Sequence, residues 1–574
     1  MSSARTLSAI QVQVIWNRLI SVVEEQAQAL IRTAFGTSTR EAGDLSAGVF
    51  LPDGRMIAQA VTGTPGHINS MAESVKHFLD KFPPQGMRDG DVYLTNDPWK
   101  GTGHLYDMTM VTPVFHRQRL IGLFAATLHV IDIGGIGPGT DSSQIYHEGL
   151  FLPILKFIDC GTVNATVLDI IRANVREPEQ VEGDLFALVA CNEVGGRRLR
   201  QVLDEFGLAE LQAAGEHIIA QSAQGMLAAV AKWPHGRWSN AMTLDGFESP
   251  IVIQALVEIS ATGVDIDFGG TSGFVAHGVN VVKAYTDAYA SFGVRCLIGP
   301  DVPNNAGSLS IVRVRAPEGS ILDAPPATAV NARHIIGQML PDVVFGCLRQ
   351  ARPDAVPAEG ASSLWNIQLS GGRPVRGAAA ETFHGTPRFA ITSFSTGGTG
   401  ARPQQDGLST TSYPSGVRNI SVEILETISP LVFWRKEYRA DSGGAGQYRG
   451  GLGQVIEISH ADHAPMVLDA AWERLHYPAR GALGGEPGAV GRVGLASGAE
   501  LRGKGQQIVP AGEHLVVETP GGGGYGLPGA RAPQAVLRDV HAGLISAQDA
   551  KNIYGLALSV IPQAVLYPTQ WRNT

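Results

Sequence analysis

The chain has 574 residues, 44% of them apolar and only 17% charged, with 44 Lys and Arg against 53 Asp and Glu for a net charge of −9. That length allows three or four domains and ample core, and the acidic balance lacks the electrostatic footprint of nucleic-acid binding, so no nucleic-acid partner is expected. Charge below the roughly 25% of typical globular chains predicts extensive subunit contact.

Cysteines 160, 191, 296 and 347 form no C-x-x-C pair, which excludes a disulfide scaffold and predicts buried, reduced thiols. The opening MSSARTLSAI has no secretory pattern and no apolar run is long enough to span a bilayer, so the expected location is the cytoplasm, with no membrane partner.

In chain order, Leu7, Ile10, Val14, Ile15, Leu19, Val22, Leu30 and Ile31 recur at spacings near three and four. They predict an amphipathic helix over 8–35, capped by Ser8 and stopped by Gly36. EAGDLSAGVFLPDGRMIAQA reads as a hairpin turning at Pro52-Asp53-Gly54, and 68–82 as a second helix. Strands fill 91–130, and within them lie two His-x-x-Asp units, His104 to Asp107 and His129 to Asp132. Asn96-Asp97-Pro98 and Gly101-Thr102-Gly103 are turn-formers, so His104 and Asp107 can converge where a strand would point them apart. The apolar run 120–128 suits a strand buried on both faces, delivering His129 at its far end. One carboxylate with two imidazoles is a Zn, Mn or Fe ligand set with positions left for water. The same residues also fit one histidine capping a turn and another satisfied in the core.

From 162 to 232 the pattern is helical, and after Trp233-Pro234 it turns to β, with 251–267 alternating. Helices are predicted over 276–295 and 327–350. From about 360 to 530 the chain is Gly-rich with short strands and close turn signals, an antiparallel β pattern. Residues 531–558 end in a small helix led by Ser546. The fold class is therefore α+β with several subdomains: a mixed β/α metal-site region at 1–160, a helical subdomain at 161–235, an α/β middle region at 236–358 and a Gly-rich, mainly antiparallel β region at 359–574. Gly498 to Lys504 imitates a phosphate loop but continues to Gly505, where Ser or Thr must hold magnesium. Asp267 to Thr271 imitates another. Glu473 and Arg474 suit an ion pair or a pocket contact.

NDPWKGTGHLYDMTMVTPVF followed by LHVIDIGG resembles the hallmark of the hydantoinase B/5-oxoprolinase family. That family includes B subunits of ATP-dependent hydantoinases and caprolactamase and, more distantly, the alpha-type subunits of acetone and acetophenone carboxylases. The likeness continues through NVREPEQVEGDLFALVACNEVGGRRL, IGPDVPNNAGSLSIVRVRAPEGSIL, RADSGGAGQYRGGLG, WERLHYPARGALGG, TPGGGGYGLP and DVHAGLISAQDAKNIYGL, covering nearly the whole chain. It implies a divalent metal held by His104, Asp107 and His129, zinc ahead of manganese or iron. Asp44 matches a family carboxylate near the metal and is carried as a further ligand. His67, in TPGHINSM, matches another family position, as a turn histidine or a substrate contact. Asp132 or His67 is the candidate general base, and Tyr146, His147 and Glu148 are expected to border the pocket. The resemblance puts ATP and Mg on a hydantoinase A-like ATPase partner, in a heterotetramer of two plus two. This chain would then resolve a small cyclic amide phosphorylated by that partner; the alternative is a subunit of an ATP-dependent ketone carboxylase.

Overall fold

The computed structural model describes residues 8–372 and 388–557. The chain packs as two compact units, one made of residues up to Asn240, Gln254–Val344 and Pro414–Ile420, the other of Ala241–Ile253, Phe345–Tyr413 and residues from Ser421 on.

The first unit opens with α1 (Ala9–Thr33), where the Ser8 side chain accepts from the Gln11 amide and the Gln11 side chain accepts from the Ser8 amide, a capping box. A short α2 (Thr37–Arg40) leads to the expected hairpin of β1 (Leu45–Phe50) and β2 (Met56–Gln59). The helix expected from 68 starts earlier, as α3 (Pro65–Lys81), because Pro65 is pre-set for the first helical position. Then come β3 (Val92–Thr95), β4 (Asp107–His116), β5 (Arg119–His129), β6 (Leu155–Asp159) and β7 (Thr162–Val163), giving one sheet in the order β2-β1-β5-β4-β3-β6-β7. The helical run that follows is α4 (Ala165–Asn174), α5 (Pro178–Phe206) and α6 (Gln212–Val230).

β5 is central and buried on both faces, as its uninterrupted apolar run requires. Ile121 and Phe124 join Val49 and Val114 under α1, α5 and α6, while Leu123 and Ala125 join Phe50 and Val111 under Met71, Val75 and Phe78 of α3. Two glycines let α5 lie close to this sheet: a Cβ on Gly195 would stand 2.4 Å from the Phe124 ring, and one on Gly196 3.0 Å from Val114. Each glycine costs about 1 kcal/mol of helix propensity, which is offset by the roughly 1.5–3 kcal/mol gained when a ring such as Phe124 is fully buried.

The β4–β5 register sets up everything that follows. Arg117 and Gln118, at φ 48° and 65°, form a two-residue loop with both residues left-handed, the pattern of a type I′ hairpin turn. A bulge at Val114/Phe115 adjusts the pairing, which then runs unbroken to Asp107 opposite His129.

Further on, β8 (Gly236–Leu244), β9 (Ile251–Ser260), β10 (Gly263–Asp267) and β11 (Val312–Arg315) form a sheet in the order β11-β10-β9-β8, with α7 (Lys283–Leu297) and α8 (Ala306–Leu309) preceding β11. The alternating run 251–267 is thus a hairpin. Two expected helices are corrected here. The one expected from 276 begins only at Lys283, because the Asn280 amide donates to the carbonyls of Val275, His277 and Ala329 and holds the chain before it in a loop. The one expected over 327–350 is replaced by irregular chain up to Arg333, then α9 (His334–Gly337) and α10 (Leu340–Ala351), because Ala327 has φ 72° and Pro341 supplies no amide to continue a helix.

In the second unit, β12 (Ile367–Gly371), β13 (Phe389–Ser393), β16 (Met466–Ala471) and β18 (Lys504–Val509) form one antiparallel sheet. β14 (Leu431–Tyr438), β15 (Gln454–His460), β17 (Arg492–Leu495) and β19 (Leu515–Glu518) form another, with α11 (Val422–Ile428) leading into β14. The single terminal helix expected is two, α12 (Pro533–His541) and α13 (Ala547–Asn552), and Ser546 caps the second. Among glycine segments outside these strands, backbone bonds to backbone: Gly451 donates to Thr399 at 2.8 Å, Gly522 to Gly451 at 2.9 Å and Gly444 to Gly522 at 2.8 Å. A Cβ on Gly522 would stand 1.9 Å from the Thr399 carbonyl oxygen, so close approach of backbones, rather than turns alone, explains the glycine content. None of the four cysteines forms a disulfide, and Cys191 and Cys347 are buried as expected. Cys160 is not: it occupies the β6–β7 turn at φ 46°, which turns it to solvent.

Gly522→Ala should therefore destabilise the protein by about 3 kcal/mol, the upper range for a steric insertion. Gly529→Ala, where a Cβ meets nothing within 4 Å, should change it by less than about 0.5 kcal/mol. Thermal melting of the two variants checks this, and equal melting temperatures would contradict the packing account.

Candidate metal centre

Asp107 opens β4 directly across from His129, the last residue of β5, and the turn at 101–106 brings His104 over the same carboxylate. Asp107 Oδ1 lies 2.7 Å from His104 Nε2 and 3.1 Å from His129 Nδ1. Its Oδ2 accepts the Thr102 hydroxyl at 2.7 Å and the Arg333 guanidinium at 2.5 Å, and lies 2.9 Å from His67 Nε2. His67 comes from the first turn of α3, and its Nδ1 is 3.6 Å from Asp44 Oδ1, on the residue preceding β1. The Tyr106 ring stacks on His129, centroids 5.4 Å apart. Asp107 is 1% exposed and His104 5%. The sequence-predicted residues His67, His104, Asp107 and His129 thus meet at one carboxylate, with Asp44 joined through His67.

His104 provides the test of whether a cation fits. Its Nδ1 is 2.9 Å from the Asn331 carbonyl oxygen, which can only accept, so Nδ1 carries the proton. Burial, reinforced by the Arg333 charge, lowers the His104 pKa to about 3, and the ring is neutral. Nε2 therefore turns a lone pair toward the Asp107 carboxylate at 2.7 Å, an arrangement of two acceptors that a positive ion would satisfy. The ligating atoms of His104, Asp107 and His129 all lie within 4.8 Å of one another, close enough to converge on one ion with bonds of about 2 Å. The donor set fits a first-row divalent metal. Burial would raise the Asp107 pKa, but the surrounding His104 and His67 imidazoles and the Arg333 guanidinium hold it well below the usual carboxylate range. At His67 burial acts downward, and the Asp107 and Asp44 carboxylates outweigh it, leaving the pKa raised.

Other predicted residues stand elsewhere. Asp132 Oδ1 accepts from Arg176 Nη1 at 2.7 Å and from the Gly134 amide at 3.3 Å, and Oδ2 accepts from the Arg176 amide, so this carboxylate braces the Gly134-Gly135 turn. Tyr146 is exposed and His147 half-buried, but Glu148 is fully buried: its Oε1 accepts from Ser142 and from the amides of Val330 and Asn331, and burial raises its pKa to about 7. Asp91, Asp159 and Cys160 also cluster, but Lys156 Nζ already lies 3.1 Å from Asp91 and 3.0 Å from Asp159. The phosphate-loop imitations have other employment: Asp267 pairs with Arg315, and Lys504 pairs with Glu473 at 2.6 Å and the Gly246 carbonyl at 3.0 Å. Arg474 is buried against Glu359 at 3.4 Å, so both charged residues of that motif sit in ion pairs.

Sequence reasoning missed Thr102, Tyr285, Asn331 and Arg333. The Arg333 guanidinium lies 4.1 Å over the Tyr285 ring, and its Nε donates to the Thr102 carbonyl at 2.9 Å. Its one legible signal is a lone arginine, the single formally charged residue in the largely apolar run from Ala329 to Leu340, where an ion partner has to be supplied.

Among the described residues no helix is long and apolar enough to cross a membrane. Residues 8–528 match the family model described as hydantoinase B/oxoprolinase. The chain is 30% identical to an uncharacterised protein of Methanocaldococcus jannaschii, covering 96% of each. It is 27% identical to a putative D-/L-hydantoinase B subunit from a Pseudomonas strain, covering 97% of this chain and 96% of that one. The crystal structure of an ATP-dependent caprolactamase from Pseudomonas jessenii superposes with a TM-score of 0.87 at 27% identity, covering 96% of each chain. A nucleotide-free acetone carboxylase superposes with a TM-score of 0.82 at 21% identity, covering 95% of this chain and 79% of that one, a likeness of fold. With the family model spanning nearly the whole sequence, the chain belongs to the hydantoinase B/oxoprolinase family.

Proposed function

We propose that this chain is the metal-bearing subunit of an ATP-dependent enzyme that opens small cyclic amides, working with a separate hydantoinase A-like ATPase subunit in a heterotetramer of two plus two. The observation that carries the reading is the convergence of His104 Nε2 at 2.7 Å and His129 Nδ1 at 3.1 Å on Asp107 Oδ1, with His104 Nδ1 turned to the Asn331 carbonyl. His104, Asp107 and His129 would hold the metal, with Asp44 as a further ligand and zinc ahead of manganese or iron on the ligand set. When bound, such an ion supplies Lewis acidity, polarising a substrate oxygen and acidifying water.

The protein's own residues supply the rest. An unstrained amide resists opening because its resonance is retained, so activation by phosphorylation on a partner subunit makes chemical sense. Burial of Asp107 and His104 keeps competing water away from the Asp107 charge and strengthens each interaction there. Of the two base candidates, Asp132 is committed to Arg176, whereas His67 lies between the Asp44 and Asp107 carboxylates and can hold or move a proton at Nδ1 or Nε2. We therefore assign the proton-transfer role to His67. The ketone-carboxylase alternative shares the fold, and the likeness at 21% identity goes no further; the hydantoinase and caprolactamase relatives favour hydrolysis.

Purified protein should carry about one transition-metal ion per chain, lost in a His104→Ala, His129→Ala double variant. Elemental analysis decides, and unchanged metal content in the variant would remove the site. Asp107→Asn should leave the two-subunit complex assembled while ring opening falls at least about 10–100-fold, the scale for a perturbed metal shell. ATP turnover by the partner should persist, and a variant that loses its metal yet forms product at the wild-type rate would make the site structural. The isolated chain should bind no ATP in calorimetry; tight binding would reassign the loops at Asp267 and Gly503.

A further inference from the structure

Arg333 lies far along the chain from the residues it touches, on the irregular segment that replaces the expected helix. That segment is held from outside the centre. Glu148 Oε1 accepts the Val330 and Asn331 amides at 2.8 and 2.9 Å, and the Asn331 side chain donates to the Gly137 carbonyl at 2.9 Å. Two residues of the segment then reach the centre: the Asn331 carbonyl takes His104 Nδ1, and the Arg333 guanidinium takes Asp107 Oδ2. Room for the guanidinium is built into the metal loop. Gly103, at φ 102°, would place a Cβ 2.6 Å from Arg333 Nε, and the guanidinium lies 4.1 Å over the Tyr285 ring.

The two oxygens of Asp107 are consequently treated differently. Oδ1 faces His104 and His129 alone, whereas Oδ2 has the Thr102 hydroxyl and the Arg333 guanidinium as donors beside His67. A carboxylate free at both oxygens can grip a cation with both and raise its coordination number, and donors on one oxygen prevent that. We propose that Arg333, with Thr102, is a positioning residue that confines Asp107 to a single ligating oxygen, Oδ1, and so fixes the coordination number of the bound metal. The inference rests on the reading of this cluster as a metal centre.

Removing Arg333 has two opposed effects on affinity, because losing a positive charge by itself favours a cation. The neutral change Thr102→Val isolates orientation, and a coordination-sensitive probe handles Arg333. The experiment strips the full-length protein of metal, measures zinc affinity by chelator competition, and records the visible absorption of the cobalt(II)-loaded protein. Thr102→Val should bind zinc about 10-fold more weakly than wild type, as expected for a lost partner of a ligand. Arg333→Met should give a weaker cobalt absorption, the signature of a higher coordination number, and Arg333→Lys should return it toward wild type. A Thr102→Val protein within about twofold of wild type, against that expected scale, overturns the inference, as does a folded Arg333→Met protein with an unchanged cobalt spectrum. If Arg333→Met does not fold, Thr102→Val alone decides. Wild-type protein that takes up no metal would instead sink the underlying reading of the centre.

Discussion

One buried carboxylate organises the first unit. Asp107 is enclosed at a depth where an isolated charge is prohibitive, so its neighbours must supply compensation. They do so from four places in the chain: Thr102 and His104 on the same loop, His129 across the strand pair, His67 on α3 and Arg333 on the segment before α9. Thr102, Arg333 and His67 stand at Oδ2, and His104 and His129 at Oδ1. The conflict that remains, His104 Nε2 against Oδ1, occurs where a cation would resolve it.

That arrangement depends on backbone register. The left-handed pair Arg117-Gln118 and the bulge at Val114/Phe115 together decide that Asp107 opposes His129. A slip of one residue would send His129 to the other face of the sheet and dissolve the pair. The double-sided burial of β5 resists such a slip, because Phe124 and Leu123 would exchange cores. Packing of the sheet and chemistry of the centre are thus one constraint seen at two scales.

How far the sequence discloses this varies with the interaction. Local signals read well: the Ser8 cap, the 52–54 turn, the doubly buried β5 and the His-x-x-Asp turn all depend on neighbours within a few residues. The glycine-rich half reads as antiparallel β, but its cross-bonded backbones stay hidden, since a glycine that admits a neighbouring carbonyl looks like one that makes a turn. The 327–350 stretch reads as a helix because its apolar spacing is helical. Burial of Val330 and Ile335 accounts for the spacing, while Glu148, distant in sequence, holds the backbone out of a helix. Asp132 shares the motif of Asp107 yet serves Arg176, because a His-x-x-Asp spacing does not say which side of a turn the carboxylate faces.

Anomalous diffraction at the edge of the metal found in purified protein tests the central claim most directly. The account predicts a single strong peak within bonding distance of His104 Nε2, Asp107 Oδ1 and His129 Nδ1. No peak there, or the main peak at the Asp91, Asp159 and Cys160 cluster, would contradict it.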